Sequence, residues 1–199
     1  MNTPIETKPI LRADARRNHE KIIDGARQVF ARNGALAQME DVARVSGVGV
    51  GTVYRHFPTK EALMTELVRR SFEAFVQIAR GALADDGEPF DVLAGVLRRN
   101  SELIAGDAAV QQAIMGAGPE VWAGTEPERQ QLGEISHTLI ERAQHAGAMR
   151  ADIGAEDIPM LMCGVCATMR HTAPGFDWRR HLELAIDSLR ARPSAEEKR

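Results

Sequence analysis

Thr52, Tyr54, Arg55, His56 and Lys60 bring a hydroxyl, a phenol, a guanidinium, an imidazole and an ammonium into one short stretch of this 199-residue chain. Groups of these kinds donate hydrogen bonds to phosphate oxygens and to base edges. The segment that must position them reads MEDVARVSGVGVGTVYRHFPTK, from Met39 to Lys60. An amphipathic run through Met39, Val42, Ala43 and Val45 stops at Ser46-Gly47, and a second run starts at Val48 and ends at Phe57-Pro58. Apolar residues at three- and four-residue spacing on both sides of a small-residue turn describe two short helices meeting at a steep angle. Gly47 suits a position just past a helix end, where positive φ is common. Val53 and Phe57 share one helical face and turn inward. Thr52, Tyr54, Arg55 and His56 then lie on or near the outward side, with Lys60 just beyond. This is the pattern of a helix-turn-helix.

At these residues the chain resembles the TetR family of bacterial transcriptional regulators. The resemblance is carried by Val29-Phe30-Ala31-Arg32-Asn33-Gly34 at the end of a long first helix, by Asp41-Val42-Ala43 and Ser46-Gly47-Val48, and by the run GTVYRHFPTKEAL from Gly51 to Leu63. It covers roughly the first third of the chain, and its spacing is far more specific than a lone glycine-rich signature. The resemblance implies a ligand-responsive regulator, a repressor, that binds a palindromic operator in double-stranded DNA as a homodimer and is released by a small-molecule effector. The DNA-binding set is Gln38, Gly49, Val50, Gly51, Thr52, Tyr54, Arg55, His56 and Lys60. Within it Tyr54, His56, Lys60 and Gln38 hold phosphates, Gly51 lets the helix backbone come close, and Thr52 and Arg55 are the candidates for base edges. Two positions depart from the family pattern. Ala37-Gln38 stands where many members carry a Thr-Thr pair, so the second helix lacks a hydroxyl N-cap and the Gln38 amide is the remaining donor. Val50 stands where many relatives place a lysine or another polar group, and it packs on a thymine methyl or contributes nothing.

The length allows one large domain or two small ones with a substantial core. No apolar run is long enough to span a bilayer, and the N-terminus has no secretory hydrophobic region, so a soluble cytoplasmic protein is expected. The net charge of −3 hides an asymmetry. Residues 1–60 carry ten Lys/Arg against six Asp/Glu, a balance of +4, and residues 61–199 carry fifteen against twenty-two, a balance of −7. A basic head on an acidic body fits phosphate binding by one end.

Periodicity predicts an all-α chain, a three-helix N-terminal head joined to a larger C-terminal helical body, and the resemblance assigns that body to effector binding and dimerisation. Residues 1–12 read as a mobile basic arm leading to Arg12, Arg16 and Arg17, residues 13–60 as the DNA-binding domain, 61–192 as the effector and dimerisation domain, and 193–199 as a disordered tail. The first helix is expected from Ala13 to Asn33, burying Ile22, Ile23, Ala26, Val29 and Phe30. A long helix follows Lys60 and ends near Asp85-Asp86-Gly87. Further helices are expected over Pro89–Ala105, Asp107–Met115, Glu128–Ala146, Asp157–His171 and Trp178–Ala191, with irregular chain around Trp122.

The body offers no catalytic constellation. Cys163-Gly164-Val165-Cys166 falls inside an apolar helix without a neighbouring strand–helix–strand pattern or a second ligand pair, so both thiols are expected to be buried packing groups rather than a redox or metal site. The six histidines form no compact ligand pattern, and the serines have no nucleophile-elbow context. Neither a metal nor a cofactor is expected. Phe72, Phe75, Leu103, Met115, Trp122, His137, Met162 and Met169 are the candidates for an effector pocket, set against the plainer reading of most of the apolar ones as core. Leu161, Val165, Leu182, Ile186 and Leu189 are the candidates for a dimer interface built from the last two helices. An enzyme is disfavoured for want of an acid, base or metal cluster. An interaction module that has lost DNA binding stays open because of Ala37-Gln38 and Val50.

Overall fold

In the computed structural model, which describes residues 8–171 and 173–191 apart from the side chains of 8–12, regular structure is helical throughout. The order is α1 (Lys8–Asn33), a 3-10 turn (Gly34–Leu36), α2 (Met39–Ser46), α3 (Val50–His56), α4 (Lys60–Ala82), α5 (Pro89–Ala105), α6 (Ala108–Met115), α7 (Pro119–Gly124), α8 (Glu126–His145), α9 (Asp157–Met169) and α10 (Trp178–Ser188). An isolated antiparallel bridge joins Met149 and Arg190. The all-α expectation holds. Two expectations fall on the other residues: the first seven residues of the arm and the tail from Pro193 lie outside the described chain.

Three boundaries differ for local reasons. α1 starts at Lys8 rather than Ala13, so residues 8–12 are helical and not part of an arm. Pro9 sits in the first turn, where a missing N–H leaves no helical bond unmade. The chain around Trp122 is not irregular: Pro119 opens the short helix α7. α4 stops at Ala82, where the N–H groups of Leu83, Ala84 and Asp85 switch to tighter turn bonds on Arg80, Gly81 and Ala82.

The chain divides into two compact units. The first runs through Val68 and includes Ala108–Ala123, crossing the boundary expected at residue 60. Its core holds Ile22, Ile23, Ala26, Val29 and Phe30 of α1, as expected, with Val42, Val53, Phe57, Leu63 and Leu67. α6 joins this unit because it packs along α1 and buries Ala109, Val110 and Ala113. α1 and α2 cross so closely that a Cβ on Gly25 would lie 2.8 Å from Ser46 Cβ.

The second unit comprises Arg69–Asp107 and the chain from Gly124 onward. Val76 and Ala79 of α4, Phe90, Leu93 and Leu97 of α5, Leu139 and Ile140 of α8, Val165 of α9, and Leu182, Ile186 and Leu189 form one core. Glu88 caps α5 by accepting from the Asp91 N–H at 2.9 Å, with Pro89 in the first turn, and Asp177 caps α10 in the same way. α5 and α10 are held in register by a ladder of ion pairs. Arg98 meets Glu183 through two bonds of 2.7 Å, Arg179 meets Glu102 at 2.7 and 2.8 Å, and Arg190 reaches Asp91 at 3.3 Å while its guanidinium lies 4.2 Å over the Phe90 ring. Positions 91, 98 and 102 run against 190, 183 and 179, the same spacings in opposite chain directions.

Candidate nucleic-acid interface

α2 begins without a side-chain cap, as the missing hydroxyl predicts. Gln38 occupies the N-cap in extended conformation, and its amide donates back to the Leu36 carbonyl at 3.3 Å. α2 ends at Gly47, whose φ of 67° lies in the left-handed region, and the Val48 N–H bonds to the Ala43 carbonyl at 3.2 Å. Gly49 then caps α3 with its backbone alone. Val53 is fully buried and Phe57 is 5% exposed, which fixes the rotation of α3 and turns Gly51, Tyr54 and Arg55 outward. Val50 stands 44% exposed, and Thr52 and His56 are half-buried at the edges of the same face. A Cβ on Gly51 would meet nothing within 4 Å, so the protein interior does not require glycine there; the open side faces outward.

The polar groups of this face are held to different degrees. The Tyr54 hydroxyl donates to Glu40 Oε1 at 3.2 Å, and that bond, followed by desolvation and the carboxylate's charge, raises the phenol above its ordinary pKa. The Lys60 ammonium donates to the Ala35 carbonyl at 2.6 Å and lies 5.6 Å from the centre of the Phe30 ring. One of its donors is therefore committed to the turn before α2. His56 is held below its ordinary pKa, first by desolvation and then by the charges of His19 and Arg55. Arg55 makes no hydrogen bond or ion pair among the described residues, whereas Arg44 is bound to Asp41 at 2.5 Å. Of the basic residues at the N-terminal end, Arg17 pairs with Asp14 and Arg16 is exposed, while the Arg12 side chain lies outside the described structure.

Residues 22–67 match the family model described as bacterial regulatory proteins, tetR family, and residues 88–191 match one described as the C-terminal domain of SbtR-like transcriptional regulators. The chain belongs to the TetR family. Over 194 residues it is 26% identical to the HTH-type transcriptional repressor KstR of Mycolicibacterium smegmatis, covering 94% of this chain and 95% of that one. Among solved structures it is similar to the TetR transcription regulatory protein from Mycobacterium vanbaalenii, with 31% identity, a TM-score of 0.59, and coverage of 91% of this chain and 99% of that one. It shares its fold with FadR from Bacillus subtilis, solved in complex with stearoyl-CoA, at a TM-score of 0.68 and 20% identity over 86% of this chain and 99% of that one. This TetR-family chain is a transcriptional regulator.

The TetR-family body places the remaining candidates unevenly. Phe72 and Phe75 meet edge to face at 5.5 Å, with Phe75 buried, and Met162 and Met169 are half-buried against the second unit's core. Leu103 is 46% exposed, and His137 stands on the outer face of α8, its Nε2 3.3 Å from Glu141 one turn on; neither lines an interior cavity. Met115 (exposed) and Trp122 (half-buried) lie on α6 and α7 in the first unit. Sequence reasoning missed two interior polar groups of α5. Ser101 is 3% exposed, and its hydroxyl has Met162 Sδ at 3.9 Å as its recorded partner. Asn100 Oδ1 is shielded from solvent and has no partner among the described residues. It also missed a shallow groove of ≈ 430 Å³ between α4 and α8, lined by Glu73, Ala74, Val76, Gln77, Glu128 and Gln131.

Val165, Leu182, Ile186 and Leu189, expected at a dimer interface, are each at most 3% exposed and belong to the second unit's own core, while Leu161 is half-buried. The exposed apolar stripe of α9 runs instead through Met160, Cys163, Gly164 and Ala167, with Leu184 exposed on α10. The two thiols also separate. Cys166 is buried and pushed up to about 11 by desolvation, with Cys163 adding to it, whereas Cys163 is exposed and not the buried packing group expected.

Proposed function

We propose that this regulator is a ligand-responsive repressor that binds a palindromic operator as a homodimer, with α3 of each protomer in the major groove and the two heads roughly 34 Å apart. The observation that carries the reading is the outward face of α3, where Arg55 is exposed and makes no hydrogen bond or ion pair among the described residues, beside open space at Gly51. Arg55 is the base-reading group, by bidentate contact to guanine, with Thr52 beside it and Val50 available to a thymine methyl. Tyr54, His56 and Gln38 hold phosphates. Lys60 does so with the two N–H donors left beyond its bond to Ala35. Tyr54 must release Glu40 before its hydroxyl can donate to DNA.

The dimer forms through the stripe Met160, Cys163, Gly164 and Ala167 of α9 together with Leu184 of α10. Met160 and Leu184 are 68% and 51% exposed in the single chain, and the small residues between allow close helix approach. The effector enters the second unit where Met162 meets Ser101 of α5, with Met169 packed against the same core. An effector carrying a hydrogen-bond donor gains most there, because Asn100 Oδ1 and the Ser101 hydroxyl lack good partners. It acts by its differential affinity for two states of the dimer. The place of action is the cytoplasm; no described helix is long and apolar enough to cross a membrane.

Selection of duplexes from a random pool by the purified protein, at two salt concentrations, tests the proposal. A palindromic consensus whose affinity falls steeply with salt is expected. Enrichment of no sequence over competitor would leave the interaction-module reading in its place.

A further inference from the structure

The six histidines form no ligand pattern in the sequence, yet the fold sets one of them directly behind the DNA face. His19 lies on α1, and its ring meets that of His56 edge-on, with 5.8 Å between centroids and 63° between planes. The His19 ring also lies 5.0 Å from Phe57, which in turn is 6.5 Å from His56. Its Nε2 is 3.5 Å from Glu66 Oε1 on α4, and the two side chains are only 30% and 14% exposed. Three rings and a carboxylate, drawn from α1, the end of α3 and α4, thus pack as one cluster inside the first unit.

We propose that His19 is a positioning residue for the phosphate contact of His56, holding its imidazole in place and coupling operator binding to protonation. The proposal rests on the DNA-binding reading above. His56 is the last residue of α3, where an unsupported side chain keeps its rotamer freedom and must lose it on binding. Contact with His19 and Phe57 removes that freedom beforehand, and Glu66 orients His19 in turn.

The direction of the proton linkage follows from the groups around His56. These are His19 on α1, Arg55 on α3 itself, and Glu66 on α4, which faces His56 through His19. Desolvation, with the electrostatic influence of His19 and Arg55, keeps the free imidazole below its ordinary pKa, so it is neutral at neutral pH. A phosphate beside it favours the imidazolium and raises that value in the complex. The complex therefore takes up a proton that the free protein does not hold. Affinity rises as pH falls through the interval between the bound and free values, and is level on either side.

The test uses a duplex selected by the purified protein and measures its affinity at constant ionic strength from about pH 8 to about pH 5.5, across the histidine range. Wild type should tighten several-fold on acidification, and His56→Gln should give a flat profile. His19→Ala should weaken binding several-fold and reduce the log–log salt slope by up to about 0.9, the value of one phosphate contact. His19→Phe keeps a ring against His56 and removes the charge. It should recover the affinity at neutral pH and move the His56 midpoint upward, both in the binding profile and in the proton NMR titration of the free protein. A flat wild-type profile overturns the proposal, as does a His56 midpoint that is the same in wild type and His19→Phe. Failure of any duplex to bind above competitor would instead remove the DNA-binding reading on which it rests.

Discussion

α3 and α10 both display arginines on an exposed face, and they use them in opposite ways. Beside α10, Arg179 is answered by Glu102 and Arg190 by Asp91, while α10's own Glu183 answers Arg98. Each cation is neutralised across the α5–α10 contact, so the charges set helix register and project little field. On α3 no carboxylate answers Arg55, and the neighbouring backbone at Gly51 is open. The arginines of the ladder are paired within the fold, whereas Arg55 on α3 is left without a carboxylate partner. The +4 balance of residues 1–60 against −7 for the remainder is the same division seen in composition.

The strongest way to break this comparison is Arg55→Ala. If Arg55 reads a base, operator affinity drops by about 1–3 kcal/mol and discrimination is lost at one base pair. Competition binding against a panel of single-base variants measures both. An equal loss on every duplex would make Arg55 a phosphate contact, and no loss would show that its lack of a partner has no function.

Arg98→Ala is the matching change in the paired region. Both side chains of the Arg98–Glu183 pair are about two-fifths exposed (42% and 41%), so solvent screens the bond and the loss of stability should not exceed about 1 kcal/mol. The Arg98 bond holds Glu183 below its ordinary carboxylate pKa. The folded state therefore binds fewer protons than the unfolded state in this range. The pair's contribution is present at neutral pH and is lost as pH falls through the folded pKa of Glu183. Denaturant titrations of wild type and Arg98→Ala should differ near neutrality and converge in acid. Operator affinity should be unchanged; a large loss of DNA binding would mean that the ladder does more than set register.

What could be read from the residues alone was what local chemistry determines. Glu88-Pro89 and Gly106 announce both ends of α5, Asn33-Gly34 ends α1, and the spacing of Val53 and Phe57 fixes which way α3 faces. Features that depend on distant segments could not be read. Gly25 looks like any helical glycine until α2 crosses at Ser46, and α6 joins α1 across a long stretch of intervening sequence. His19 has no mark of function until α3 and α4 bring His56 and Glu66 to it. The interface residues failed for a related reason. Periodicity shows that α9 and α10 are apolar around much of their circumference, but not which stripe the chain keeps for its own core. Val165, Leu182, Ile186 and Leu189 went inward, and Met160 and Leu184 were left outside.

The smallest expected effect sharpens the same contrast inside the second unit. Ser101 is buried among apolar neighbours, with a thioether 3.9 Å away as its hydroxyl's recorded partner, a weak acceptor at a long distance. A well-satisfied buried hydroxyl would resist removal, because its partner would be left unpaired. One without a good partner can be replaced by alanine at a cost below about 1 kcal/mol, with lost packing offset by relief of desolvation. Ser101→Ala should therefore melt close to wild type. A loss above about 2 kcal/mol would show that the hydroxyl is already committed to the fold, and would remove it, with the adjacent Asn100, as the place where a donor-bearing effector is anchored.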